Sequence, residues 1–482
     1  MNGGQPDTGA RPADRCADSI RGGASKPTLR QGAASLPPIL EGAASLPWIL
    51  EGGQAGLAAL RVGKNAAARL AAQVVARFVS LVLVALVARH EGAASLGRYV
   101  LVVTAVGIAG AVSDLGLNTF VTREAARVPG AQDQRELLAR TLPLKTLLSL
   151  GGFVGLIAVA ALVPFPQTTK RLIPLGGLAL LPDALLGAMG ALVNARQRME
   201  VSGALNLAAR LAAVAGSFLA LTLGYGVAGV LGCTAGASLL GVLLYLVVLR
   251  RWGLLSRWRW DPPAWRAYLA ESYPFALTSI IAMAYARLDL VLLGLWRGDV
   301  AAGWYGAAYK LWEAVGLLPA SLLDAMFPEM SRLSGSREGM QRLRHLFRTA
   351  GRAMLVGGLL LGVGGALGAS VLVPLIYGTG ASHAPTVLAF RVLVWAIPAM
   401  FLYLLSGHAL YAVGRQRRVT ASMLVIGLAN VGLNVVAIPR WGYLGAAAVA
   451  LLSGWLLCAT LYPQASQALN SKSRTQNLKS ET

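Results

Sequence analysis

Apolar runs of 18 or more residues recur along this 482-residue chain from about residue 68 onward, and nothing else constrains its fold as tightly. At 1.5 Å per residue, each run is long enough to cross a hydrocarbon core about 30 Å thick. Inside a bilayer the backbone must satisfy its own hydrogen bonds, so such runs have to be helices. They read as 68–88, 99–120, 142–163, 172–194, 203–223, 226–249, 272–295, 302–327, 352–376, 386–411, 417–438 and 443–463. Only 13% of residues are charged, against about 25% in an ordinary soluble domain. The expected class is an all-α polytopic membrane protein with about twelve transmembrane helices.

The net charge of +22 would suit a nucleic-acid binder if it were clustered on one face. Instead it falls in alternate connections: Arg123, Arg127, Arg135, Arg140 and Lys145; Arg196 and Arg198; Arg250, Arg251, Arg257, Arg259 and Arg266. The series continues with Arg332, Arg337, Arg342, Arg344, Arg348 and Arg352, then Arg415, Arg417 and Arg418, then Lys472, Arg474 and Lys479. The opposite connections hold only Arg89, Arg98, Lys170, Arg171, Arg297 and Arg440. This is the positive-inside bias, which puts both termini in the cytoplasm and turns the basic excess toward membrane lipids rather than nucleic acid. Cys16, Cys233 and Cys458 have no metal spacing, and no cofactor is implied. No apolar segment follows a basic start in the first 60 residues, so a cleavable signal peptide is not expected.

Five regions follow. Residues 1–64 read as a disordered cytoplasmic tail with a ten-residue repeat, GAASLPPILE at 32–41 and GAASLPWILE at 42–51, whose prolines oppose a helix. Residues 65–250 and 272–465 read as two six-helix bundles, joined by a Trp/Arg-rich interfacial linker at 251–271, and 466–482 is a second tail. GYGVAGVLGCTAGASLL (224–240) echoes WGYLGAAAVALLSGWLL (441–457), aligning Gly226 with Gly442. A fainter echo pairs 97–107 with 303–316. Halves repeated in the same sense imply a pseudo-two-fold axis along the membrane normal, the arrangement of transporters that rock about a central site. The connections expected outside are short, leaving no room for an external catalytic domain.

Charges inside the spans are the candidate site. An arginine at a span centre costs about 2.5–3.5 kcal/mol on insertion scales, so it faces protein or a water-filled cavity. Arg77, Arg210, Arg287, Arg391 and Lys310 are matched by Asp114, Asp183, Asp289, Glu313 and Asp324. Arg287 and Asp289 are two residues apart and point to different helix faces, whereas Lys310 and Glu313 are spaced to pair locally. Arg391, Asp114 and Asp324 lie nearer span ends, and His408 is the one histidine inside a span. Either these groups form structural ion pairs or they separate into cations for an anionic cargo and acids that bind an ion. Pro143, Pro182, Pro274, Pro319, Pro374 and Pro398 suggest kinked helices near a cavity. No catalytic motif stands in a plausible setting, so the chain is not expected to be an enzyme.

Three stretches carry a resemblance. They are LGRYVLVVTAVGIAGAVSDLGLNTFVTREAAR (96–127), YPFALTSIIAMAYARLDLVLLGLWRGDVAAGWYGAAYKLWEAVGLLPASLLDAMFPEMSRL (273–333), and the Gly-Tyr-x-Gly-Ala entry at 442–446. In this order and spacing the chain resembles the Wzx-type polysaccharide and oligosaccharide flippases of the multidrug/oligosaccharidyl-lipid/polysaccharide exporter superfamily. The resemblance implies a MATE-like V of two six-helix bundles in a bacterial inner membrane. It implies a polyprenyl-pyrophosphate-linked oligosaccharide as cargo, alternating access, a coupling proton or sodium ion, and a glycan polymerase as a possible partner. Arg77, Arg287, Arg210 and Lys310 would then hold the pyrophosphate, and Asp289, Asp183 or Glu313 the ion. Three alternatives stay open: a multidrug or small-cation exporter of the same superfamily, a peptidoglycan lipid-precursor flippase, and a membrane glycan polymerase or ligase. The first would favour acids over arginines in its cavity, and the last would need a large external loop.

Overall fold

With no water to bond to, the backbone of the apolar runs closes its hydrogen bonds internally. The computed structural model accordingly contains helices and no strand among its described residues, 47–128, 130–255, 257–378 and 383–478. The helices are α1 (Pro47–Asp114), α2 (Leu117–Arg127), α3 (Ala131–Leu162), α4 (Gln167–Gly177), α5 (Leu180–Ala195), α6 (Met199–Thr222) and α7 (Gly226–Arg251). Then come α8 (Pro262–Val315), α9 (Leu317–Leu333), α10 (Arg337–Tyr377), α11 (Ala384–Leu393), α12 (Ile397–Ala412) and α13 (Gln416–Leu478), with a 3-10 turn at Val394–Ala396. Arg61–Thr482 forms one compact unit. Most of the expected tail lies outside the described residues. The second repeat copy begins α1 at Pro47, since proline at a first helical position forfeits no hydrogen bond.

Among the described residues, eight helices are long and apolar enough to cross a membrane, and nine if α4 and α5, bent by 41°, form one span. Three of the eight are broken by a glycine with positive φ: Gly92 (77°) in α1, Gly298 (79°) in α8 and Gly442 (58°) in α13. Positive φ combined with these ψ values is nearly confined to glycine and costs an ordinary residue about 1–3 kcal/mol. The EGAASL string at 91–96, expected as a loop, is therefore a one-residue break, with Ala93, Ser95 and Leu96 buried. The non-helical residues inside these three long helices are the glycines, not the prolines. Pro143 and Pro374 lie within unbroken helices, while Pro182 and Pro398 fall in the first turns of α5 and α12.

The breaks also carry the internal repeat. Gly92 and Gly298 share their backbone geometry at an offset of 206, and Gly226 (56°) and Gly442 (58°) at an offset of 216. Just beyond Gly92 and Gly298 the second legs of α1 and α8 cross. A Cβ on Gly97 would collide with the carbonyl of Asp299, and one on Gly303 with the carbonyl of Ala93. Each glycine thus sits on the carbonyl four residues before the other, as a two-fold relation demands. Thr169 and Thr168 donate to the Asp299 carboxylate at 2.7 and 3.1 Å, and Arg98 approaches it at 3.4 Å. Toward the opposite end, Gly107 faces Met283, and a Cβ on Gly116 would lie 2.6 Å from the Ser272 carbonyl. The second leg of α1 and its continuation therefore touch α8 near both ends.

α12 is the buried spine of the C-terminal part, with Ile397, Met400, Phe401 and Leu405 in its core. α10 instead exposes Leu360, Leu367, Val371 and Leu375 on one face, a stripe suited to lipid. α8 starts at Asp261, whose side chain caps Ala264 N at 3.2 Å, followed by Pro262 and Pro263. The 251–271 connection docks on α3 rather than lying free. Trp265 Nε1 donates to the Arg140 carbonyl at 2.8 Å, and Arg259 to Glu136 at 2.6 Å.

One charge assignment is corrected. Lys145, read as part of a basic connection, is 1% exposed within α3. Its Nζ donates to Asp114 Oδ1 at 2.7 Å and Asn118 Oδ1 at 2.6 Å. Lys145 already falls inside the expected span 142–163, and α3, which begins about three turns earlier at Ala131, holds it in the bundle.

Candidate functional site: a cationic cluster beside a central cavity

Four of the seven expected site residues meet at one carboxylate. Glu313, on the second leg of α8, accepts from Arg77 at 3.1 Å and Arg287 at 3.3 Å on Oε1, and from Lys310 at 3.0 Å on Oε2. Arg77 comes from the first leg of α1 and Arg287 from the first leg of α8, so three helical legs converge here. The Arg287 guanidinium also lies 5.5 Å from the centre of the Tyr309 ring, a cation–π distance. Three cations around one carboxylate leave the cluster two positive charges in excess. The local Lys310–Glu313 pair forms as the spacing predicts; the two arginines added to it were not legible from spacing.

Arg287 and Lys310 line a cavity of about 210 Å³ between the legs of α1 and α8. Asp289 lines it too, buried, and accepts from the Tyr305 hydroxyl and from Leu290 N. The two-residue spacing holds as expected: Arg287 turns to Glu313 and Asp289 to Tyr305. The cavity is smaller than the roughly 300–1,000 Å³ of drug-sized ligand pockets, so in this conformation it suits a diphosphate-sized group rather than a saccharide.

Asp183 and Arg210 are not part of that cluster. They line a second cavity of about 480 Å³ among α1, α4, α5, α6 and α7, where Ser238 hydrogen-bonds Asp183 and Arg210 acts on it by charge. The cavities abut, since Ser80, Tyr99 and Val103 line both. Arg391 donates to the Ala366 carbonyl at 3.3 Å and to Ser370 Oγ at 2.7 Å, away from both cavities. His408 is 3.5 Å from Asp324 and likewise remote. Sequence reasoning missed Tyr305, Tyr309 and Asp299. Aromatics at 305 and 309 are spaced by one helical turn, the signal that could have put them on the Asp289 side.

Comparison with known proteins identifies the family. The family model described as "Polysaccharide biosynthesis protein" matches residues 62–334, more than half the chain, and the MatE model matches 274–436. The chain is 29% identical over 201 residues to "Probable flippase AglR" of Haloferax volcanii, covering 40% of this chain and 41% of that protein. It is 21% identical over 381 residues to "Probable low-salt glycan biosynthesis flippase Agl15" of the same organism, covering 76% and 75%. Its match thus spans less than half of the first relative and three quarters of the second. The fold is similar to lipid II flippase MurJ in an inward closed conformation (TM-score 0.67, 14% identity, 84% and 90% coverage). It is equally similar to an inward-facing multidrug resistance MATE family transporter (TM-score 0.67, 13% identity, 85% and 99% coverage). The chain is a multi-pass membrane protein of the polysaccharide biosynthesis protein family, the Wzx-type branch of the multidrug/oligosaccharidyl-lipid/polysaccharide exporter superfamily, whose members are transporters rather than enzymes.

Proposed function

We propose that this protein carries a polyprenyl-pyrophosphate-linked oligosaccharide from the inner to the outer leaflet of a bacterial inner membrane, by ion-coupled alternating access, for polysaccharide assembly. The observation that carries the reading is the excess of two positive charges where Arg77, Arg287 and Lys310 meet Glu313 beside the central cavity. Guanidinium groups bind phosphate oxygens through paired, charge-assisted hydrogen bonds, whereas a cavity for a drug cation would carry the opposite excess. Arg287 and Lys310 meet the pyrophosphate first, and Arg77 joins them from the shared carboxylate. Arg210 guides the anion across the second cavity. Asp289 and Asp183 serve the coupling proton or sodium ion.

The proposed architecture is two six-helix bundles, with both termini cytoplasmic. α1, α8 and α13 each supply two spans, one on either side of their glycine break, and α4 with α5 supplies one. The paired breaks and the reciprocal Gly97–Gly303 contact support a rocking motion about the crossing, driven by differential affinity of the two states for cargo and ion. Lipids surround the bundle, and a glycan polymerase is the expected consumer of the cargo.

Deletion of the gene followed by lipid analysis tests this. Lipid-linked saccharide should accumulate on the cytoplasmic side and clear when the wild-type protein is restored. A normally inserted Arg77→Ala/Arg287→Ala variant that cleared it at the wild-type rate would sink the reading.

A further inference from the structure

Glu313 stands apart from the other acids of the interior. Asp289 is turned to the Tyr305 hydroxyl and Leu290 N, and Asp183 to Ser238. Glu313 instead has both carboxylate oxygens occupied by cations, Oε1 by Arg77 and Arg287 and Oε2 by Lys310. Of these three cations Arg287 and Lys310 line the cavity, whereas Glu313 is not among its lining residues. A ligand in the cavity therefore meets cations backed by a carboxylate. It reads a cluster of three positive charges already lowered by one.

We infer that Glu313 is a specificity-determining residue that holds down the cluster's preference for a diphosphate with a free terminal phosphate over one substituted at both ends. This rests on the flippase reading above. A diphosphate bridging a lipid and a sugar carries two negative charges, one on each phosphate. The lipid diphosphate left after the glycan has been transferred away has a free terminal phosphate, whose second ionisation near pH 6 gives it a third charge above that pH. The two molecules share lipid and diphosphate, so apart from the sugar only this terminal charge tells them apart. Each positive charge at the site favours the spent carrier over the substituted diphosphate, and Glu313 offsets one such charge on cations that line the cavity beside Asp289. Charge on the ligand and charge on the site act multiplicatively, so removing the Glu313 charge must shift preference toward the more highly charged ligand, whatever the absolute affinities. Glu313 thus lowers the site's preference for the terminal diphosphate that a glycosyl transfer from the cargo releases.

The test compares two probes at pH 8 on purified full-length protein: farnesyl diphosphate, and farnesyl diphosphate linked to N-acetylglucosamine. The wild type sets the reference affinity ratio. Glu313→Gln should move the affinity ratio at least tenfold toward farnesyl diphosphate, and Glu313→Asp, which keeps the charge, should retain the wild-type ratio. Thermal melting of each variant reports whether it is folded. A folded Glu313→Gln with an unchanged ratio overturns the inference while leaving the flippase reading intact. If neither probe binds the wild type, the flippase reading itself fails. Should Glu313→Gln not fold, Glu313→Asp and an Arg77→Gln variant decide: Arg77→Gln lowers the site charge and must shift the ratio the opposite way, and no shift overturns the inference.

Discussion

Lys145 and Asp114 form an ion pair at 2.7 Å, in which the lysine is 1% exposed and the aspartate about a quarter exposed. The pair joins α3 to the end of α1, where Leu115 and Gly116 take positive φ before α2 begins. Removing one partner of a buried pair leaves the other charge uncompensated, at a cost of about 3–5 kcal/mol. Lys145→Met should therefore destabilise the protein by about 3 kcal/mol, the low end reflecting Asp114's partial exposure. The Lys145→Met/Asp114→Leu double variant should recover most of that. Thermal or chemical melting in detergent checks the cycle, and additive losses would show that the pair does not couple.

The Gly97–Gly303 crossing makes a second prediction. Backbone cannot step aside as a flexible side chain can, so an added methyl forces the two helices apart. Gly97→Ala and Gly303→Ala should each cost about 1–3 kcal/mol, as overpacking does. They should also reduce transport, because the contact cannot re-form. Gly155, within α3, has nothing within 4 Å of a built Cβ, so Gly155→Ala is the control and should leave melting and transport unchanged.

Asp289 and Tyr305 are joined by a buried hydrogen bond to a charged acceptor. Such bonds contribute about 1.5–3 kcal/mol. Tyr305→Phe should lower stability by that amount and slow transport, whereas Asp289→Asn should uncouple transport from the ion gradient while still binding cargo. Flux in proteoliposomes with and without a proton or sodium gradient separates the two effects.

Arg391 offers the contrast. It donates only to Ala366 and Ser370, and faces neither cavity. Arg391→Gln should change stability by less than about 0.5 kcal/mol, in line with surface substitutions, and leave glycan export at the wild-type rate. A loss as large as that of Arg287→Ala would mean that the cavity extends to α11.

Much of this was legible in the sequence because membrane helices announce themselves by length and polarity. Arg77, Arg287 and Lys310 stood out since an intramembrane cation is costly wherever it lacks a purpose. Their common partner was not legible. Glu313 lies 236 residues from Arg77, and no periodicity reports a contact between helices. Lys145 was misread for a related reason: it follows Arg135 and Arg140 closely and was grouped with them although it lies inside the expected span 142–163, and α3 continues through all three. The breaks were legible as connections holding Arg89, Arg297 and Arg440, but not as one-residue turns, because the φ of Gly92, Gly298 and Gly442 leaves no mark in the composition. Gly226 and Gly442 were legible as a repeat, but their shared positive φ is a backbone property that only the structure exhibits.

The central claim is that the cations around Glu313 hold the pyrophosphate of the cargo. Calorimetric binding of a polyprenyl-pyrophosphate-linked saccharide to purified protein tests it most directly. Two lost charge-assisted contacts at about 1.5 kcal/mol each amount to about 3 kcal/mol, so Arg77→Ala/Arg287→Ala should bind roughly 100-fold more weakly than wild type. Equal affinity in a folded double variant would contradict the account.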